Sequence, residues 1–319
     1  MSAFVNFYKL VRGTNLLIIA LSMSFFRYFE ITKMFDMVHK TPTLDTFHFA
    51  LLCMAVMLVA AGGNIVNDYL DFSNDKQFKP HKTVLGEWIS LDTAFNLQAL
   101  CSGLGIAIGY YLAWKINYWQ LGNVFAIAAV LLWVYSVSLK KWFLVGNIVV
   151  ALLSGVVFVL VALFEPQLWD ATLSPELKFF YSPIIVKAQV YALFAFWLSL
   201  IREIVKDAED KEADAARNMK TLPIVFSTKV TNLVLVVMVF LLMAGLIFLC
   251  YYFYQLGLKN QFWYILLTLI VTLLLNSLTT MVATTKEDYH NLSAFLKLCM
   301  LFGLFSMPVF YYTNLYFPL

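Results

Sequence analysis

The sequence predicts an all-α polytopic membrane protein with about nine transmembrane helices. Composition is the first reason: 62% of the 319 residues are hydrophobic and only 13% are charged. Ordinary soluble domains carry about 25% charged residues, so a soluble fold would lack the polar side chains to cover itself. The second reason is that nine apolar segments are each long enough to cross a hydrocarbon core of about 30 Å. Inside lipid the backbone must satisfy its own hydrogen bonds, which makes each segment a helix.

In chain order the segments cover about residues 13–33, 47–70, 94–114, 118–138, 143–164, 183–205, 229–256, 261–283 and 293–315. The first follows Lys9 and Arg12 and meets no small-residue cleavage site before SFFRYFE, so it reads as a span and not as a cleaved signal peptide. Short breaks at Lys115–Asn117 and Lys140–Lys141 separate the third, fourth and fifth segments, and a loop from Pro166 to Pro183 precedes the sixth. The longest polar stretches, about 71–93 and 206–228, follow the second and sixth segments and read as cap loops on a single domain of residues 1–319. With nine spans, the N-terminus and the loops after even-numbered spans share a side that holds 15 of the 22 Lys and Arg. The excess of basic residues on that side predicts that it is cytoplasmic. The expected location is therefore the cell (inner) membrane, with both cap loops in the cytoplasm.

Net charge is only +3 and no basic aromatic patch accompanies it, which argues against nucleic acid as a partner. The four cysteines, Cys53, Cys101, Cys250 and Cys299, stand far apart in apolar stretches and read as small buried hydrophobes. His39, His48, His81 and His290 form no set with ligand spacing, so a transition metal or haem has little support. Nothing in the chain points to an obligate protein partner.

Against this apolar background two acidic clusters share one spacing. Asn64, Asp68, Asp71 and Asp75 lie within GGNIVNDYLDFSND, and Glu203, Asp207, Asp210 and Asp214 within IREIVKDAEDKEAD. Both step by 4, 3 and 4 residues, so each set falls within a helical arc of roughly 60°. Glu209 and Glu212 point the other way, towards water. One such cluster alone reads as a solvated charged loop. Two matched ones beside membrane-length segments are costly to desolvate unless a cation sits among them. Mg²⁺ takes oxygen ligands and bridges carboxylates to substrate phosphates, so a diphosphate is the natural companion. Metal on both phosphates would neutralise a leaving diphosphate and favour breaking the adjacent carbon–oxygen bond. An isoprenoid tail on that carbon suits a site among apolar helices. Arg202 and Lys206 flank the second face and can pair with the acids or touch phosphate. A transporter or channel could also pair acidic helices, but it would place the acids near mid-span along a pore. Here they sit at helix ends with basic residues close by.

At these residues the chain resembles the UbiA superfamily of membrane prenyltransferases. Asn67-Asp68-x-x-Asp71-x-x-x-Asp75 matches that family's NDxxDxxxD pattern, and Tyr135-Ser-x-x-Leu139-Lys140 with Gly146-Asn147 matches its YSxxLK…GN segment. The second acidic helix with Lys220-Thr221-Leu222-Pro223 matches its second Asp-rich motif and KTLP-like continuation. The matches occur in order over about residues 60–225. The resemblance implies one bundle of nine helices around a central cavity, in which two Asp-rich motifs bind Mg²⁺ and a prenyl diphosphate. It carries Asn67, Asp68, Asp71, Asp75, Glu203, Asp207, Asp210 and Asp214 over as metal-holding residues, with Asp68, Asp71, Asp207 and Asp210 central to catalysis. It likewise implies substrate contacts from Asn64, Asn67, Lys79, Lys82, Tyr135, Lys140, Asn147, Arg202 and Lys206. One departure is that many relatives read RPxRPIPSG where this chain reads Lys79-Pro80-His81-Lys82-Thr83-Val84-Leu85-Gly86. Lysines there hold phosphate as point charges and not as bidentate forks. The REIVKDxED…KTLP string is similar to the branch that geranylgeranylates geranylgeranylglycerol phosphate. That implies geranylgeranyl diphosphate as donor and a lipophilic acceptor drawn from the membrane, with an aromatic quinone precursor as the alternative acceptor.

Overall fold

The computed structural model describes residues 3–78, 84–170 and 174–313, and among them the structure is helical with no β-strand. Among the described residues, nine helices are long and apolar enough to cross a membrane. They are α1 (Gly13–Met37), α2 (Thr46–Phe78), α3 (Leu91–Lys115), α4 (Trp119–Val137), α5 (Val145–Leu163), α6 (Pro175–Glu209), α7 (Thr228–Gln255), α8 (Lys259–Val282) and α9 (Lys286–Thr313). The chain is an integral membrane protein.

Where the sequence reads as one domain, the contacts group the chain into two compact units. The first comprises residues 1–27, 31–140 and 157–189, and the second residues 28–30, 141–156 and 190–319.

In the first unit the starts of α2 and α3 are set by caps. The Asp45 carboxylate accepts from the His48 backbone N–H at 2.9 Å, and Ser90 Oγ accepts from Thr93 N–H at 3.1 Å. Two adjacent glycines in α2 set how close its neighbours come. A Cβ on Gly62 would lie 2.3 Å from Ser102 Oγ on α3, and one on Gly63 would lie 2.7 Å from Leu132 on α4. Across the same α2–α3 contact, a Cβ on Gly105 would lie 2.9 Å from the Ala55 carbonyl. Small residues let the backbones approach where lipid supplies no hydrophobic drive to pack helices. Ala61, Ile65, Ala94 and Cys101 fill the seam with Leu10 and Val11.

The second unit packs α7, α8 and α9 with the second half of α6 around Leu198, Ile201, Leu235, Val239, Leu273, Leu292 and Leu296. Asn232 on α7 ties its polar end together. Its Nδ2 donates to the Ala283 carbonyl at 2.8 Å, and its Oδ1 accepts from Tyr289 OH at 2.7 Å. All four cysteines are buried and free.

Three boundaries differ from expectation. α2 runs on to Phe78 and α9 starts at Lys286, because polar residues extend a helix once its apolar part is anchored. α6 begins at Pro175, so Pro183 lies inside it and the preceding loop is shorter than expected. Proline there removes the N–H that would bond to the Phe179 carbonyl. Ser182 Oγ donates to that carbonyl instead, at 2.9 Å. The same loop region also carries a polar constellation that the sequence does not show. Glu165, 1% exposed, accepts from Arg27 and, at 2.6 Å, from the Thr43 backbone N–H. Arg27 also donates to the Leu44 carbonyl and lies over the Phe49 ring, 5.4 Å from its centroid. This buried pair pins the α1–α2 connection to the end of α5.

Candidate active site

The first acidic cluster lies in the cytoplasm-predicted half of α2 and begins directly after the tight Gly62–Gly63 contact. Asn64 Nδ2 donates to the Val11 carbonyl at 3.0 Å, fastening the turn before α1 to α2. Next to it Arg12 stands in the left-handed region at φ 54°, the residue that caps α1. This backbone directs its guanidinium to Asp68, with Nη2 3.1 Å from Oδ1. In the sequence Arg12 stands out only as a basic residue beside the first span. Nothing local distinguishes it, since the contact spans 56 residues.

Lys140 provides a second cationic contact to this cluster. Its ammonium donates to Asp71 Oδ1 at 2.7 Å and to Asn67 Oδ1 at 3.1 Å. The Lys140 and Asp71 side chains are only 8% and 11% exposed. The resemblance implies a phosphate contact for Lys140, and here its ammonium meets Asp71 and Asn67. Two hard oxygens from α2 thus already converge on one positive charge. The donor set, amide and carboxylate oxygen without sulfur or imidazole, fits Mg²⁺ chemistry. Tyr135 lies half-buried near the end of α4, on the way to this turn. Of Asp75 only the helical backbone is described, and Lys79 and Lys82 lie outside the described residues.

The second cluster is built on the end of α6. Asn147, from the start of α5, donates to Asp207 Oδ2 at 2.7 Å. Arg202 Nη1 donates to the neighbouring Glu203 at 3.0 Å. Lys206 and Asp207 are half-buried. The continuous helical arc expected through Asp214 does not form. α6 ends at Glu209, Asp210 adopts φ −99° and ψ 12°, and a new short helix covers Lys211–Ala216. Aspartate favours such ends because its short side chain competes for backbone groups. Asp214 is buried and its carbonyl accepts from Met219 N–H at 3.1 Å. Lys220 N–H donates to the Lys141 carbonyl at 3.1 Å, so the KTLP segment docks against the turn before α5. Glu212 is exposed as expected. Glu209 is not turned to water: it accepts from His290 on α9 at 3.0 Å and its side chain is 11% exposed.

Among the described residues, no three His, Cys, Asp or Glu side chains stand together as a ready metal centre. The first carboxylates are instead held by the chain's own cations, Arg12 and Lys140, and Asp207 by the Asn147 amide. Each cluster by itself offers oxygen donors towards a helix end, edged by cations.

Comparison with known proteins gives four findings. Residues 37–301 match the model of the UbiA prenyltransferase family. The digeranylgeranylglyceryl phosphate synthase of Methanobrevibacter smithii is 26% identical over 259 residues, covering 81% of this chain and 85% of that one. Among solved structures, one of digeranylgeranylglyceryl phosphate synthase superposes with a TM-score of 0.63 at 23% identity, over 96% of this chain and 98% of the other. A UbiA homologue from Archaeoglobus fulgidus bound to GPP and Mg²⁺ superposes at 0.54 with 15% identity, over 95% and 99% of the two chains.

Proposed function

The chain belongs to the UbiA prenyltransferase family, and from that premise we propose that it is a Mg²⁺-dependent enzyme that moves a geranylgeranyl group from its diphosphate to the hydroxyl of geranylgeranylglyceryl phosphate. The family match sets aside the transporter reading. The relative from M. smithii, named for this product, supports the acceptor, and the Mg²⁺-bound homologue supports the metal.

The observation that carries the proposal is the convergence of Asn67 and Asp71 on the Lys140 ammonium. Asn67, Asp68, Asp71 and Asp75 would hold metal on α2, and Glu203, Asp207, Asp210 and Asp214 would do so at the end of α6. Bound there, Mg²⁺ supplies charge neutralisation to the leaving diphosphate. Lys140 and Arg12 orient the α2 carboxylates and remain positioned to meet phosphate oxygens as charge builds on them. Asn147 fixes the rotamer of Asp207. Asn64 sets the backbone ahead of Arg12. By the motif resemblance, Tyr135, Arg202, Lys206, Lys79 and Lys82 would serve as further substrate contacts. The prenyl carbon–oxygen bond breaks, the diphosphate takes the electron pair, the acceptor oxygen bonds to the allylic carbon, and its proton passes to water. We place this chemistry on the cytoplasmic side, following the distribution of basic residues.

The test is transfer of radiolabel from geranylgeranyl diphosphate to geranylgeranylglyceryl phosphate by purified protein in nanodiscs with Mg²⁺. Asp68→Ala and Asp210→Ala should each abolish it. Full activity in both would refute the site, and transfer only to hydroxybenzoate or dihydroxynaphthoate would refute the acceptor.

A further inference from the structure

The end of α6 carries a second face beside the acidic one. Arg202, Lys206 and Glu209 step by 4 and 3, just as Glu203, Asp207 and Asp210 do, and lie about 100° around the helix from them. Opposite this second face stands α9, which presents His290 and Lys297 seven residues apart, on one side of the helix. The two helices meet through the 3.0 Å contact between His290 and Glu209. That contact joins the last turn of α6 to the first turns of α9, so Lys297, half-buried two turns further along α9, lies on the side that meets α6, as Arg202 lies two turns back along α6.

Three half-buried cations therefore stand on the facing sides of α6 and α9 in the second unit. Glu209 is engaged by His290, and Glu203 accepts from Arg202 Nη1. Arg202 Nε is buried without a hydrogen-bond partner, although its side chain is only 13% exposed. A buried guanidinium N–H left unpaired is costly, and so is the mutual repulsion of three half-buried cations at a helix end. Both costs fall if an anion with several acceptor oxygens lies among them. No motif recognised in the sequence contains Lys297.

We propose that Arg202, Lys206 and Lys297 form an anion subsite for the phosphate monoester of the prenyl acceptor, distinct from the carboxylate faces that serve the donor. The inference rests on the proposed prenyl transfer and adds to it a specificity-determining residue on α9. A phosphate dianion matches three cations where a neutral hydroxyl would not, so the subsite selects phosphorylated acceptors.

The test compares wild type, Lys297→Met and Lys297→Arg in nanodiscs of zwitterionic lipid. Acceptors are geranylgeranylglyceryl phosphate and its dephosphorylated form, geranylgeranylglycerol. Losing one charge-assisted contact should raise KM for the phosphorylated acceptor about tenfold or more. KM for geranylgeranyl diphosphate should stay within about twofold, and Lys297→Arg should recover most of the loss. The preference of wild type for the phosphorylated acceptor should shrink by a similar factor in Lys297→Met. An unchanged acceptor KM in a folded Lys297→Met protein would overturn the subsite while leaving the transfer reaction standing. A rise in donor KM alone would reassign the cations to the leaving diphosphate and overturn it too. Competitive inhibition of wild type by added phosphatidylglycerol, lost in Lys297→Met, would assign the site to membrane headgroups instead. Should folded wild type transfer to no acceptor at all, the proposed reaction itself fails.

Discussion

Lys140 and Asp71 form a 2.7 Å ion pair in which both side chains are largely withdrawn from water, and the same ammonium reaches Asn67. Breaking a buried pair from one side leaves a charge without compensation. Lys140→Met should therefore lower kcat/KM for geranylgeranyl diphosphate by about 100-fold, the size expected when an electrostatic contact to developing charge is lost. Single-turnover transfer assays check this. Asp71→Asn with Lys140 intact should be at least as damaging.

Arg12 and Asp68 offer a contrast, because their side chains are 40% and 31% exposed. An exposed pair of this kind contributes about 0–1 kcal/mol to stability. Arg12→Ala should leave the melting temperature in detergent within a few degrees of wild type. Transfer activity should nonetheless fall about tenfold, since Asp68 loses the cation that orients it. A thermal scan run beside the transfer assay separates the two effects.

Glu165 should behave in the opposite way. Its carboxylate is almost fully buried against Arg27 and the Thr43 backbone. Glu165→Ala should cost about 3–5 kcal/mol and lower the melting temperature by several degrees or more. Enzyme that remains folded should keep its KM for both substrates. Replacing Arg27 and Glu165 together by Met should recover part of the lost stability.

Asp207→Asn preserves size and can still accept from Asn147, whose 2.7 Å bond fixes the rotamer. Its stability should change by less than about 1.5 kcal/mol. Activity should drop about 100-fold, with a higher Mg²⁺ concentration needed for half-maximal rate. Chelation of Mg²⁺ should abolish transfer in wild type, and added Mg²⁺ should restore it.

Gly105→Leu tests the α2–α3 contact. Even a Cβ there would sit 2.8 Å from Val59 Cγ2 and 2.9 Å from a backbone carbonyl. Overpacking of this sort costs about 1–3 kcal/mol. The variant should melt earlier and lose activity, because Asn67 and Asp71 ride on the displaced helix.

The spans are legible in the sequence because length and apolarity are properties of a segment by itself. All nine expected segments correspond to helices, and misplaced ends fall where polar or proline residues continue a helix. Pro183 looks like a boundary only until Ser182 is seen to satisfy the carbonyl that proline leaves free. The acidic faces are legible for the same local reason, with two failures: their periodicity assumes an unbroken helix, which Asp210 ends, and Glu209, expected towards water, meets His290 instead. Pairings across the chain leave no such trace. Arg27 and Glu165 lie 138 residues apart, Asn147 and Asp207 60, and Arg12 and Asp68 56. Arg12 also owes its direction to a positive φ that sequence does not reveal for a non-glycine residue.

The length of α6 has a consequence for the membrane around it. Thirty-five residues rise about 52 Å, well beyond a hydrocarbon core of about 30 Å. The stretch from Pro183 to Ile201 measures about 28 Å, and Arg202 follows at once. Bilayer thickness, through hydrophobic mismatch, thus decides whether the charged final turns of α6 stand in headgroups or in water. Lipid acyl-chain length becomes a means of tuning this protein that leaves every side chain in place.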